Sequence, residues 1–221
     1  MKAILSTALL TVLTASAAHA EGLKVETRAF HANMQLDAEK STYKEDGTPA
    51  TVDGVSSAYF NTAGFGVSAV QTVDDVLDFG LGLSVARYYP TKTSQIDQTV
   101  LHGFSRINLV KTDASRVYML AGLSRQQLVQ DIESDAYANY KTRYTPIVNG
   151  DLGLGATFTV GKADLGLEYK YSNTLAAGRA SLQGLYKNPG LRGVQISSDK
   201  NKLKGVTLQG QELALSVAVK L

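Results

Sequence analysis

The chain has no cysteine. That excludes a disulfide framework and thiolate metal sites, so the fold must rest on burial and backbone pairing alone. After the leader no run approaches ~18 consecutive apolar residues, which excludes a transmembrane helix. The formal charge is only +2, too small to suggest nucleic acid. Proline is scarce, at four residues against twenty glycines, and with a strong two-residue periodicity this composition points away from disorder and toward strands and turns.

The first twenty residues read as a cleaved leader. Lys2 supplies the positive start, Ala3 to Leu13 the apolar stretch, and Ala18-His19-Ala20 a small-residue cleavage site. The chain is therefore expected to be exported, with a signal peptide over 1–20 and a single domain over 21–221. The mature part would have 201 residues, 221 minus 20, enough for one all-β domain or barrel.

One short phrase recurs: Asp78-Phe79-Gly80-Leu81, Asp151-Leu152-Gly153-Leu154 and Asp164-Leu165-Gly166-Leu167. Each copy opens a run in which large apolar residues alternate with Gly, Ser, Thr or Ala, the pattern of a strand with one greasy face and one small or polar face. Eight such strands are expected, near Leu23–Leu36, Ser57–Val70, Val76–Tyr89, Gln98–Val110, Ser115–Gln127, Pro146–Val160, Ala163–Ser172 and Val206–Leu221. The connections alternate between tight turns and longer loops: 37–56, 90–97, 128–145 and 173–205 are the longer ones. Outer-membrane barrels show this asymmetry, with short periplasmic turns and long external loops.

A soluble lipocalin-like barrel also alternates, with its apolar face inward. Three features favour the membrane. The strands exceed the usual 5–6 residues or so and match the roughly 10 needed to cross a ~25 Å band at a ~40° tilt. Opposite the apolar face stand Gly80, Gly82 and Ser84, or Gly153 and Gly155. Such glycine strings suit a crowded barrel interior better than a solvated surface. Tyr59, Tyr88, Tyr89, Tyr137, Tyr140, Tyr144 and Tyr171 cluster near the long-loop end, where an aromatic girdle is expected. In the first strand Leu23, Val25, Thr27 and Ala29 are odd but Phe30, Ala32, Met34 and Leu36 are even, so a bulge near Ala29 is expected. In the fourth, parity with Ile107 and Leu109 puts Gly103 and Ser105 on the lipid face.

The final segment, Leu213 to Leu221, alternates cleanly to its last residue. Leader, eight strands and terminal amphipathic strand together resemble the small outer-membrane barrel class of the OmpA transmembrane domain and OmpX. The resemblance is architectural, spans the mature chain and carries no family motif. It implies an eight-stranded antiparallel up-and-down transmembrane β-barrel, inserted by the outer-membrane barrel assembly machinery and surrounded by outer-membrane lipids and lipopolysaccharide. Such barrels usually end in an aromatic residue, whereas this chain ends in Leu221.

With apolar faces outward, the inward parity collects Glu26, Arg28, Arg106, Glu168, Lys170 and Glu212, with Lys24 and Lys220 nearer the ends. Mixed signs favour pairing over a selective pore, so a plugged, charge-paired interior is expected. Outside, Arg87 and Arg125 break the apolar parity about 10 residues above their tight turns, near the expected outer headgroups. The last loop adds Arg179, Lys187, Arg192, Lys200, Lys202 and Lys204 against Asp199. Arg87, Arg125, Arg192, Lys200, Lys202 and Lys204 are the candidate contacts to lipopolysaccharide phosphates; a merely solvated basic loop is the alternative.

Catalysis is not expected. The mature chain offers only His31 and His102. Neither has the His-x-Ser spacing of deacylase and phospholipase barrels, and no Asp-x-His pair resembles the protease barrels. No cofactor and no metal are expected. The leading function is a monomeric structural or surface-interaction barrel. A narrow channel for small solutes and a lipid A-modifying enzyme are the alternatives.

Overall fold

Two-residue alternation becomes strand along most of the described chain. The computed structural model describes residues 22–37, 41–45, 48–52, 58–91, 94–132, 137–186 and 195–221; the expected leader lies outside them. The strands are β1 (Leu23–Asp37), β2 (Ser41–Glu45), β3 (Thr48–Val52), β4 (Ala58–Thr72), β5 (Leu77–Thr91), β6 (Ser94–Lys111), β7 (Ser115–Ile132), β8 (Tyr137–Tyr144), β9 (Ile147–Val160), β10 (Ala163–Ala176), β11 (Gly178–Tyr186) and β12 (Gln195–Lys220).

A closed wall forms from β1, β4, β5, β6, β7, β9, β10 and β12, all antiparallel. The ring shuts where β12 returns to β1, from Lys24 opposite Lys220 to Asp37 opposite Thr207. Closure leaves no bare edge in the ring. Two wall strands are interrupted near the long-connection end. β7 pairs with β9 up to Gln126 and with β8 from Val129 onward. β8 in turn pairs with β11, and β11 with the upper part of β12. β8–β9 and β10–β11 are therefore each one barrel strand with a break. At the first break Pro146 has no N–H to give the ladder. Thr145 instead donates its N–H to the Arg179 carbonyl (2.7 Å), and its hydroxyl accepts the Arg179 N–H (2.7 Å).

The eight-strand expectation holds, but all four of the supposed longer loops carry strand: 90–97 includes the end of β5 and the start of β6. The stretch 37–56 includes the β2–β3 hairpin, a separate two-stranded sheet. The stretches 128–145 and 173–205 include β8, β11 and the upper half of β12. The turns at the other end are short and held locally. Asp74 Oδ1 accepts the N–H groups of Val76 (2.8 Å) and Leu77 (2.7 Å). Asp75 pairs with Lys111 of the neighbouring turn, and that ammonium holds the Asp75 carboxyl below its usual range. The β9–β10 turn at Gly161-Lys162 has φ of 62° at Gly161, a conformation that suits glycine.

The expected bulge at Ala29 is absent. β1 keeps unbroken register with both neighbours over its length, so its even residues face inward throughout. Phe30, Ala32, Met34 and Leu36 are buried, while His31 and Asn33 are exposed on the other face. The phase of the strand stays constant; what changes is the surroundings. Toward the tight turns the wall is apolar outside and polar within. Toward the long connections it is polar outside and apolar within. β12 makes the same exchange: Val219, Val217, Leu215 and Leu213 are exposed, whereas higher up Leu208 and Val206 are fully buried.

The outward apolar belt covers four or five outward positions per strand. On β5 it runs from Leu77 through Phe79, Leu81 and Leu83 to Val85 and stops at Arg87. Eight residue steps at ~3.3 Å, tilted ~40°, give a belt about 20 Å tall. Gly103 and Ser105 lie on this face, and the Ser105 hydroxyl reaches the Ala121 carbonyl (3.3 Å), which satisfies a donor in an apolar setting.

Candidate functional site: a closed interior and a polar collar

Inward parity, fixed by the closed register, brings charged residues from distant strands into stacked layers. The layer nearest the tight turns joins Lys24, Asp78, Arg116 and Asp164. Asp164 accepts from Lys24 (2.7 Å) and Arg116 (2.9 Å), and Arg116 also reaches Asp78 (3.2 Å). Asp164 additionally accepts the Thr159 hydroxyl (2.7 Å). Two cations meet two anions, so the layer is neutral.

The middle layer centres on Arg106 of β6. Its guanidinium forks onto both carboxylate oxygens of Glu26 (2.7 and 2.8 Å) and also reaches Glu168 (3.0 Å). Its flat faces lie over Phe104 and Tyr118, 4.7 and 4.8 Å from the ring centroids. Tyr118 donates its hydroxyl to Glu168 (3.1 Å). Arg28 pairs with Glu168 (3.5 Å) and Glu212, and Lys170 with Glu212 (3.2 Å). The structure thus brings all six candidate interior residues into one chain of ion pairs. Three cations face three anions, again neutral. Lys220 does not join them: it is exposed at the end of β12.

The small residues opposite the belt make room for these groups. A Cβ at Gly80 would overlap the Phe104 ring, and one at Gly155 the Tyr118 ring. Above the ion pairs lies a polar layer that holds one carboxylate, Asp151. His102 meets Ser68 (3.3 Å), and Asp151 accepts from Ser172 (2.6 Å) and Ser124 (3.2 Å). Gln98 links Tyr88 to Gln126. A space of about 20 Å³ lies beside these groups, between Phe30, Gln98, Lys170 and Glu212, roughly one water's worth.

The apolar plug comes last, formed by Phe30, Met34, Leu36, Phe60, Tyr88, Ile96, Leu128, Tyr144, Ile147, Val206 and Leu208. Phe60 and Tyr88 pack edge to face at 4.8 Å. Sequence reasoning missed this plug, the Arg116 layer and the Tyr118 contact. The signal was present as inward parity, but apolar residues were assigned outward by rule.

On the outer wall the structure separates the candidate cations. Arg87 is exposed and its Nε donates to Asp97 (2.7 Å), its cross-strand neighbour. Arg125 is exposed with Leu101 and Val148 opposite it. Arg192 lies outside the described residues. The backbones of Lys200, Lys202 and Lys204 run in β12, and their side chains are outside the description. The tyrosine girdle is corrected in part. Tyr59, Tyr169 and Tyr171 face outward, but Tyr88 and Tyr144 have inward parity and sit in the plug, where Tyr144 donates to Gln130 (2.9 Å). The side chains of Tyr89, Tyr137 and Tyr140 are outside the description. The two histidines face opposite sides of the wall, His31 exposed and His102 buried inside. Among the described residues no group of acids and histidines is placed to hold a metal, and no helix is long and apolar enough to cross a membrane, which says nothing of strands.

A closed antiparallel ring with an apolar outer belt and a charge-paired interior defines an eight-stranded transmembrane β-barrel. Solved structures of the same architecture include Neisserial surface protein A, at 15% identity and TM-score 0.57, covering 92% of this chain and 99% of that one. The outer membrane protein OprG from Pseudomonas aeruginosa is similar at 15% identity and TM-score 0.59, covering 92% of this chain and 97% of that one. At this identity the likeness is one of fold. No protein-family model matches the sequence, and a search of curated proteins finds no match.

Proposed function

We propose that this protein is an outer-membrane barrel closed to solutes, acting as a structural and surface-interaction protein whose outer collar contacts lipopolysaccharide. The observation that carries this reading is the interior. Two neutral ion-paired layers, a polar layer with the single carboxylate Asp151 and an apolar plug follow one another along the lumen. A pore selective by charge tends to line up one sign; here both ion-paired layers mix the two signs and cancel. The long-connection end, polar outside and apolar inside, is built like a small soluble barrel standing on the membrane-embedded half. Two of the similar structures are a surface protein and an outer membrane protein, which fits this setting.

Arg125 supports the lipopolysaccharide contact. It ends the outward series Met119, Ala121, Leu123 on β7, at the height where lipid phosphates meet the belt. A guanidinium binds phosphate well, in bidentate fashion. The basic stretch Lys200, Lys202 and Lys204 extends the same chemistry along upper β12.

Two measurements test this reading on the mature protein. In planar bilayers we expect no large, steady channel; well-defined steps of porin size would overturn the closed lumen. Replacing Arg125, Lys200, Lys202 and Lys204 together with Ala should weaken salt-dependent retention of lipopolysaccharide several-fold. Unchanged retention would remove the phosphate contact while leaving the closed barrel standing.

A further inference from the structure

Around the ring from the Arg125 face, the collar has a different chemistry. One row of cross-strand partners crosses four strands: Tyr171 on β10, Gln211 on β12, Asn33 on β1 and Asn61 on β4. The next row up holds Gln209, Gln35 and Tyr59. All seven line an open cavity of about 620 Å³ against the outer wall, within the size range of small-molecule sites.

We propose that this cavity binds the neutral sugar portion of an outer-leaflet glycolipid. Its outward-facing side chains are five amides and two tyrosines; Met34, Phe60 and Gly210 complete the lining, and no ionised group is among them. Amides donate and accept at once, as a hydroxyl-rich ring requires, and a tyrosine offers an apolar ring face beside a polar tip. Gln209 donates to Gln35 (3.0 Å), and Gln35 donates to Asp37 above it (2.9 Å). That carboxylate makes the site unfavourable to phosphate, which separates it from the Arg125 face. The membrane source follows from continuity. On β12, β1 and β4 the amide rows directly follow the outward residues Leu213, His31 and Ala63, at the top of the belt. A sugar tethered to lipid is presented at that height.

This inference rests on the reading that the belt sits in the outer membrane, and the test separates the two. The mature barrel is placed in vesicles containing either lipopolysaccharide with its core saccharide or lipid A without that core, and contact is read by saturation-transfer NMR and photo-crosslinking. We expect at least tenfold greater crosslinking to the core-bearing lipid. The variant Asn33→Ala/Asn61→Ala/Gln211→Ala should abolish that preference without changing heat-modifiable gel mobility. Equal crosslinking to both lipids, or a preference that survives the triple variant, would overturn the site. Free core oligosaccharide binding as strongly as the membrane-borne form would overturn the glycolipid source. Failure of the unaltered protein to insert and resist heating would instead overturn the membrane reading itself.

Discussion

Replacing Arg106 with Leu is expected to lower unfolding stability by about 3–5 kcal/mol, the usual cost of breaking a buried pair from one side. Arg106 is the only cation bonded to Glu26 among the described pairs, and it shares Glu168 with Arg28. Without it the Glu26 carboxylate stays buried with no ionic partner. The stacking against Phe104 and Tyr118 goes as well. A second change shows whether charge or packing dominates. Glu26→Leu added to Arg106→Leu should recover part of the loss, because an apolar replacement of a whole buried pair is often neutral or better. Urea titration in lipid vesicles, followed by heat-modifiable gel mobility, reads both variants. A loss under about 1 kcal/mol for Arg106→Leu, the range of exposed pairs, would mean that water screens the lumen.

The second large effect lies on the outside of the wall. Val217 of β12 points outward midway along the belt series Leu213, Leu215, Val217, Val219 and Leu221, and Gln211 points the same way in the collar. Val217→Arg should cost about 2–4 kcal/mol, as a cation at the bilayer midplane does in barrels, whereas Gln211→Arg should cost no more than about 1 kcal/mol. The same titration compares the two directly. Equal and small effects would contradict a lipid setting for Val217; equal and large effects would move the membrane edge above Gln211.

Much of the barrel was legible from alternation. Leu165 and Leu167 against Glu168 and Lys170 mark the two sides of β10, and strand number and antiparallel order follow from eight such runs. Alternation reports which residues share a face, but not which face meets which medium. For β5 and β9 the glycine string settled that, since Gly80 and Gly155 are explained by the rings they face. For β1 the exchange from Thr27 and Ala29 outward to Phe30 and Met34 inward looked like a slip of phase. It was a change of medium at constant phase: above the belt, water replaces lipid outside, and apolar residues move to the inside. The plug and the collar are two consequences of that single exchange, and both were hidden by treating apolar as outward everywhere.

The interior partners were legible only as a set. Parity puts Arg106 and Glu26 in the lumen, yet they are 80 residues apart and meet across it. No local spacing encodes that pairing; it depends on the stagger with which the ring closes. Arg116 was missed for a related reason. It stands one residue into β7, where a charge reads as part of the turn, though closure aims it at Asp78 and Asp164. On the outer wall, Arg87 drew notice as a lone break in the belt, while its partner Asp97 lay within a segment read as loop.

The absence of cysteine permits a direct test of where water meets the wall. Single cysteines at the outward positions of β4, introduced as Ala69→Cys, Val67→Cys, Phe65→Cys, Ala63→Cys, Asn61→Cys and Tyr59→Cys, place one thiol at each height. Labelled in intact vesicles with a membrane-impermeant maleimide, the thiols at 69, 67, 65 and 63 should stay protected, with reaction switching on at 61 and 59. Fast labelling at 65 and 67, equal to that at 59, would mean that the apolar belt faces water, and would contradict the transmembrane barrel.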